Sequence, residues 1–221
     1  NENFKLQKKY IELFIEQRVK GIIIAVTQNS YDKINFFEQI SSKIPLVLID
    51  RKIDKQMPGV FFENFYSSYG VIEKFIKHGK KKIGFLAGPQ TISTAKERLD
   101  GYKKALKDNG IKYDKKLVLY GDFTLESGYN LGKEILKREI NAIYISNNSM
   151  TLGFLKALKE LNINSESMEI ATFEDNEIIR FIDEKIVSYN MPFSELAKKS
   201  IEILESLLKN DTSDTTVEIN L

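Results

Sequence analysis

Apolar residues follow two rhythms along this chain. Short segments rich in apolar residues at 19–26, 44–49, 60–62, 82–87, 117–119, 142–145, 169–173, 186–190 and 216–220 have the length of strands. Between them, over 3–17, 31–41, 67–77, 94–108, 126–137, 149–161, 176–182 and 193–208, apolar positions recur every three or four residues, the period of a helix that buries one face. The first such segment shows it plainly, with Phe4, Tyr10, Ile11, Phe14 and Ile15 on one side. Strands alternating with helices of about ten residues or more predict βαβ units, parallel sheets and an α/β fold. No internal repeat or low-complexity linker interrupts the pattern, and the polar stretch NDTSDTT at 210–216 reads as a surface loop.

The segment IGFLAGPQTISTAKERLDGYKKAL at 83–106 carries the most information. Its apolar run is stopped by Pro89, a polar TIST loop follows, and from Ala95 the positions Leu99, Tyr102, Ala105 and Leu106 mark an amphipathic helix. Ligands of open parallel sheets sit outside the carboxyl ends of strands, so this strand–loop–helix turn is a candidate site. Arg98 stands about one turn into the helix, and its fork of donors suits adjacent hydroxyls or a carboxylate. Taken alone, the same residue also reads as a surface arginine paired with Glu97 or Asp100. Asn147 directly follows the strand at 142–145. Its amide both donates and accepts, as sugar hydroxyls require, but Asn also caps helices well. Asn148 or Ser149 is available to cap in its place.

Composition narrows the field. The 221 residues suffice for one α/β domain or two lobes, and a net charge of +2 shows no basic excess of the kind that marks nucleic-acid binding. The absence of cysteine excludes disulfides and thiolate metal sites. No apolar run approaches the ~18 residues of a membrane span, so no membrane partner is expected. The single histidine, His78, has no Ser–His–Asp order or metal cluster around it and reads as a surface residue, as do the lysine runs at 79–82 and 112–116. No phosphate loop or acid/base carboxylate pair is visible, so neither catalysis, metal nor cofactor is expected. No signal peptide is evident, and the chain opens inside a charged helix, so an upstream segment is expected to be missing.

The order of several motifs resembles the lactose/galactose repressor family of transcriptional regulators. QRVKGIII (17–24), IPLVLIDR (44–51), HGKKKIGFLAGP (78–89), ERLDGYKKAL (97–106), GDFTLESGY (121–129), AIYISNNSMTLGFLKALKELNI (142–163) and MPFSELAKKSIEIL (191–204) are similar to that family's motifs, in the family's order and with compatible spacing. The resemblance covers nearly everything from Lys8 onward. It lacks the helix-turn-helix headpiece, the hinge helix and the first strand–helix–strand of the core.

The resemblance implies two Rossmann-like lobes with parallel sheets, of the periplasmic-binding-protein type, with a ligand cleft between them. It places 1–62 and 191–212 in the first lobe and 63–190 with 213–221 in the second, with crossovers near Phe62, Met191 and Ser213. It implies the effector-sensing core of a cytoplasmic homodimeric repressor that meets operator DNA only through the missing headpiece. The effector it implies is a sugar or sugar derivative, and a sugar-transport binding protein is the alternative. It turns Arg98 and Asn147 into ligand contacts and adds four more. Glu174 stands where the family usually has Asp, unless it turns away and leaves Asp175 or Asn176 to cap the next helix. Phe123 matches an aromatic position that lies against the ligand, with core packing as its other reading. Thr94 would offer a hydroxyl, and Asp50 a carboxylate at the end of its strand. Replacing Arg98 is expected to weaken ligand binding and to spare the fold.

Overall fold

The structure, a computed structural model, describes residues 2–53, 56–211, 213 and 215–221. The chain divides into two compact units. The first comprises 1–63, 91–94 and 192–220; the second comprises 64–90, 95–191 and Leu221.

The first unit holds α1 (Phe4–Glu16), β1 (Ile22–Ala25), α2 (Ile34–Ser41), β2 (Leu46–Ile49) and β3 (Gly59–Phe62). In the second, α3 (Asn64–Lys77), β4 (Ile83–Ala87), α4 (Ser93–Asp108), β5 (Val118–Tyr120), α5 (Leu125–Ile135), β6 (Ala142–Ile145), α6 (Asn148–Glu160), β7 (Glu169–Glu174), α7 (Glu177–Ile182) and β8 (Val187–Tyr189) follow, Ser93 and Thr94 at the start of α4 belonging to the first unit. The chain then returns to the first unit with α8 (Phe193–Leu208) and β9 (Thr216–Ile219).

The first unit is built on a four-stranded parallel sheet in the order β1-β2-β3-β9. Side chains alternate across a strand, and β2 uses both directions. Leu46 and Leu48 join Ile11 of α1, Phe37 of α2 and Phe61 of β3 in one buried cluster. Val47, fully buried, points to the other face, where α8 buries Leu196, Ser200 and Ile203. Asn3 caps α1, its side chain accepting from the Leu6 N–H at 3.1 Å.

The expected boundaries need two corrections. The last strand does not belong to the second lobe: β9 runs parallel to β3 with Gly59 opposite Thr216 and Phe62 opposite Ile219, and Ile219 is buried there. It supplies the hydrogen-bonding partner for the outer edge of β3. Residues 91–94 also leave the second lobe. Tyr31 Oη donates to Ser93 Oγ at 3.1 Å, the Ser93 N–H donates to Tyr31 Oη at 2.6 Å, and the Lys52 N–H donates to Ser93 Oγ at 3.0 Å. The expected loop at 210–216 and the crossover near Ser213 involve residues 212 and 214, which lie outside the described residues.

The second unit has a five-stranded parallel sheet in the order β5-β4-β6-β7-β8. Phe85, Tyr144 and Phe173 face a cluster with Val71, Ile72 and Phe75 of α3 and Leu99, Tyr102 and Leu106 of α4. Leu86, Ile143 and Ile145 face the opposite cluster, with Ile135 of α5, Phe154 and Leu158 of α6 and Ile179 of α7. The continuous apolar runs of β4 and β6 are thus explained by helices on both faces. Among the described residues, no helix is long and apolar enough to cross a membrane.

Candidate functional site

The strand order of the second unit reverses beside β4. The chain steps from β4 to β5 on one side and then to β6 on the other. In a doubly wound sheet the carboxyl ends flanking such a reversal are where ligands bind. Gly88 leaves β4 at this point, Ser146 and Asn147 leave β6, and Phe173 and Glu174 close the neighbouring β7.

Arg98 is placed here by α4, and it is buried at 7 % exposure rather than lying on the surface. Its Nε donates to Asn64 Oδ1 at 2.8 Å and its Nη1 to the Ser146 carbonyl at 2.5 Å. The guanidinium carbon lies 3.3 Å from the centroid of the Phe173 ring. Gly101 allows the approach. A Cβ there would run into the Phe65 carbonyl oxygen and stand 3.0 Å from Ser68 Cβ, so only glycine lets α4 lie this close to α3. Ser68 Oγ donates to the Arg98 carbonyl at 2.6 Å across the same contact.

Asn147 carries the helix cap itself, the second of its two readings, although Asn148 and Ser149 were available for it. Its Oδ1 accepts from the Met150 N–H at 3.1 Å, and its Nδ2 donates to the Phe123 carbonyl at 3.0 Å. Asn148 bonds elsewhere, its Oδ1 accepting from Thr172 Oγ1 at 3.2 Å. Phe123 is half-buried in a left-handed conformation with φ of 68°, which costs a bulky residue roughly 1–3 kcal/mol. The flanking residues hold the turn. Asp122 Oδ1 accepts from the Thr124 N–H at 3.0 Å and from Thr124 Oγ1 at 2.7 Å, and Thr124 caps α5 by accepting from the Ser127 N–H. The hydrogen bond from Thr124 holds the Asp122 carboxyl below its ordinary range. The Phe123 ring lies against bare backbone, since a Cβ on Gly88 would collide with it.

Glu174 is the last residue of β7, partly exposed, and the cap of α7 is Asn176, which accepts from the N–H groups of Ile178 and Ile179. The structure therefore brings Arg98, Phe123, Asn147 and Glu174 to one end of one sheet, linked through Ser146 and Phe173. Asp50 and Thr94 belong to the first unit. Asp50 follows β2 with φ of 65°, its N–H donates to the Val60 carbonyl at 3.1 Å, and its carboxylate stands 3.7 Å from Arg51 Nε. Thr94 is buried, beside the Tyr31–Ser93 contact. Burial pushes the Tyr31 hydroxyl above its ordinary pKa.

Four residues of these arrangements escaped the sequence reading. Asn64 looks like any polar residue opening a helix, and Phe173 like any core aromatic. Ser146 acts through its carbonyl, which no side-chain pattern reveals. Arg51, whose Nη1 donates to the Val26 carbonyl at 3.1 Å and so ties the ends of β1 and β2, reads as a charged residue after a strand. His78 lies at the surface, with Nδ1 2.9 Å from Glu169 Oε2, and Lys80 pairs with the same carboxylate.

Two parallel α/β units, one with a polar site at the carboxyl ends of its strands, define a ligand-binding core of the periplasmic-binding-protein type. The family profile for periplasmic binding proteins and the sugar-binding domain of the LacI family matches residues 1–176, and the chain belongs to that family. It is 26 % identical over 219 residues to the HTH-type transcriptional repressor PurR of Pasteurella multocida, a match covering 97 % of this chain and 65 % of that protein. It spans just under two thirds of the length of the curated relatives it matches. Among solved structures, the transcription regulator CcpA of Lactococcus lactis superposes with a TM-score of 0.88 at 25 % identity, covering 98 % of this chain and 80 % of that one. A sugar-binding transcriptional regulator of the LacI family from Escherichia coli, complexed with phosphate, superposes with a TM-score of 0.80 at 27 % identity, covering 96 % of this chain and 78 % of that one.

Proposed function

We propose that the chain is the effector-sensing core of a cytoplasmic transcriptional repressor and binds a sugar or sugar derivative that controls operator binding by a DNA-reading segment outside this sequence. The observation that carries this reading is Arg98, a buried guanidinium pinned by Asn64, Ser146 and Phe173 at the strand ends where ligands of such sheets bind. Phe123 supplies a flat apolar face and Glu174 an acceptor for hydroxyls, and Asn147 lies beside them; Asp50 and Thr94 offer a carboxylate and a hydroxyl on the first unit. The set is neither wholly cationic nor wholly apolar, which fits a neutral, hydroxyl-rich molecule. Such a ligand acts only through unequal affinity for two conformational states. Among the described residues, the titratable groups form no acid/base or nucleophilic constellation that would support catalysis. The core works as a homodimer. Phe181, 92 % exposed beside Ile178 and Ile182, gives α7 an apolar outer side for a second copy to cover.

A thermal-shift panel of ribose, glucose, cellobiose, guanine, adenosine and arginine, run beside light scattering, tests the reading. A ligand that binds only the folded chain stabilises it by about 2.7 kcal/mol at a hundredfold excess over Kd. A sugar is expected to raise the transition of a dimeric species. A shift by guanine or adenosine with no sugar response removes the sugar assignment. A monomer at all concentrations, unchanged by Phe181→Ser, removes the dimer.

A further inference from the structure

We infer that Asn147 is a positioning residue for Phe123: one face of its amide caps α6 while the other clamps the left-handed Phe123 turn, seating the aromatic ring over Gly88. The inference rests on the reading of this end of the sheet as the ligand site, and it reassigns Asn147 from touching a ligand to acting through the ring.

The two hydrogen bonds fix the amide's orientation. The oxygen faces the Met150 N–H at 3.1 Å and the nitrogen faces the Phe123 carbonyl at 3.0 Å. A flipped amide would set donor against donor and acceptor against acceptor. The clamp is needed because Phe123 holds a backbone conformation that residues other than glycine rarely adopt. Asp122 and Thr124 restrain the turn from within its own loop. Asn147 restrains it from the end of β6, the strand whose Ser146 carbonyl also receives Arg98. A single short stretch, Ser146–Asn147, therefore sets both the cation and the aromatic ring of the site. The ring's seat is equally specific, since Gly88 alone leaves room for it.

The chemistry singles out asparagine. Ser, Thr, Asp and Asn all cap helices well, but of these only Asn presents a second, donating group on the same planar head. Asn147→Asp keeps the cap and turns the clamp into a repulsion between a carboxylate oxygen and the Phe123 carbonyl. Asn147→Ser keeps the cap and simply lacks the donor.

The test compares isotope-labelled wild type, Asn147→Asp, Asn147→Ser and Phe123→Leu by NMR, without ligand. The Phe123 ring current is expected to displace the Gly88 Hα resonances in wild type. In Phe123→Leu and in both Asn147 variants those resonances should move toward their random-coil positions, while the Asn147 variants remain folded. Gly88 resonances of both Asn147 variants that coincide with wild type would overturn the clamp. If Asn147 were merely a structural cap, Gly88 would stay in place in both cap-preserving variants, Asn147→Asp and Asn147→Ser. With the panel compound that shifts wild type most, a tenfold or greater loss of affinity is expected in Asn147→Asp. If no panel compound binds wild type, the site reading fails and the clamp is judged on Gly88 alone.

Discussion

The guanidinium of Arg98 lies over the Phe173 ring, its central carbon 3.3 Å from the centroid, with Nε and Nη1 already committed to Asn64 and Ser146. A long cationic side chain is thereby held in one pose before any ligand arrives. Pre-paid side-chain ordering of this kind favours binding. It also gives Arg98 a duty in the fold, because removing it strips a donor from two buried acceptors.

Arg98→Ala is therefore expected to destabilise the chain as well as abolish ligand binding. Hydrogen bonds to a charged group contribute roughly 1.5–3 kcal/mol each, so urea unfolding should show a clear loss. Arg98→Lys keeps the charge but not the planar fork, and should recover part of the stability and little of the ligand response. Equal stability of wild type and Arg98→Ala would show that the network contributes nothing to folding.

Acid should loosen the Phe123 turn through Asp122. Its folded carboxyl titrates below the unfolded value because Thr124 donates to it. The contribution is thus present above the ordinary carboxylate range and lost as pH falls through the folded value. Between about pH 4 and more acid conditions, wild type should lose more stability than Asp122→Asn, which keeps an acceptor that does not titrate. Parallel curves for the two proteins would exclude Asp122 as the source.

The architecture was legible because strands buried on both faces and helices buried on one leave different periods in a sequence. The placement of β9 was not. Its apolar positions show that it is a strand, whereas its partner is set by which sheet edge remains open, here that of β3. The site was legible in part for a similar reason. Asn147 stands out directly after a strand and Arg98 one turn into a helix that follows one, whereas Phe123 was pointed to by the family resemblance. Their partners, the Ser146 carbonyl, Asn64 and bare Gly88, are backbone groups or ordinary residues that only the fold brings together.

Alkali should act on the tyrosines of the second unit. Burial raises the hydroxyl of Tyr113 to about 12 and pushes those of Tyr102 and Tyr144 higher still. The folded values lie above the unfolded one, so the stabilisation is complete below about pH 10 and is lost as pH rises through the folded values. Tyr144→Phe should flatten the alkaline slope of stability by one titrating group. A slope identical to wild type would mean that Tyr144 ionises as easily in the folded chain as in the unfolded one.

Gly101→Ala tests whether the approach of α4 to α3 sets the site. The added methyl meets the Phe65 carbonyl oxygen and Ser68 Cβ, neither of which can swing away as a flexible side-chain tip would. Overpacking of this kind costs typically ~1–3 kcal/mol, against a helix-propensity gain of about 1 kcal/mol for replacing glycine. A net loss is expected, and its size decides how the strain is relieved. If α4 moves outward, the Ser68 Oγ bond to the Arg98 carbonyl at 2.6 Å and the Arg98 Nε bond to Asn64 at 2.8 Å lengthen together. Ligand response should then fall with stability, and Arg98→Ala should cost less in the Gly101→Ala background than in wild type. This coupling is measurable by a double-mutant cycle in urea. Additive losses would show that the helix contact and the Arg98 network are independent.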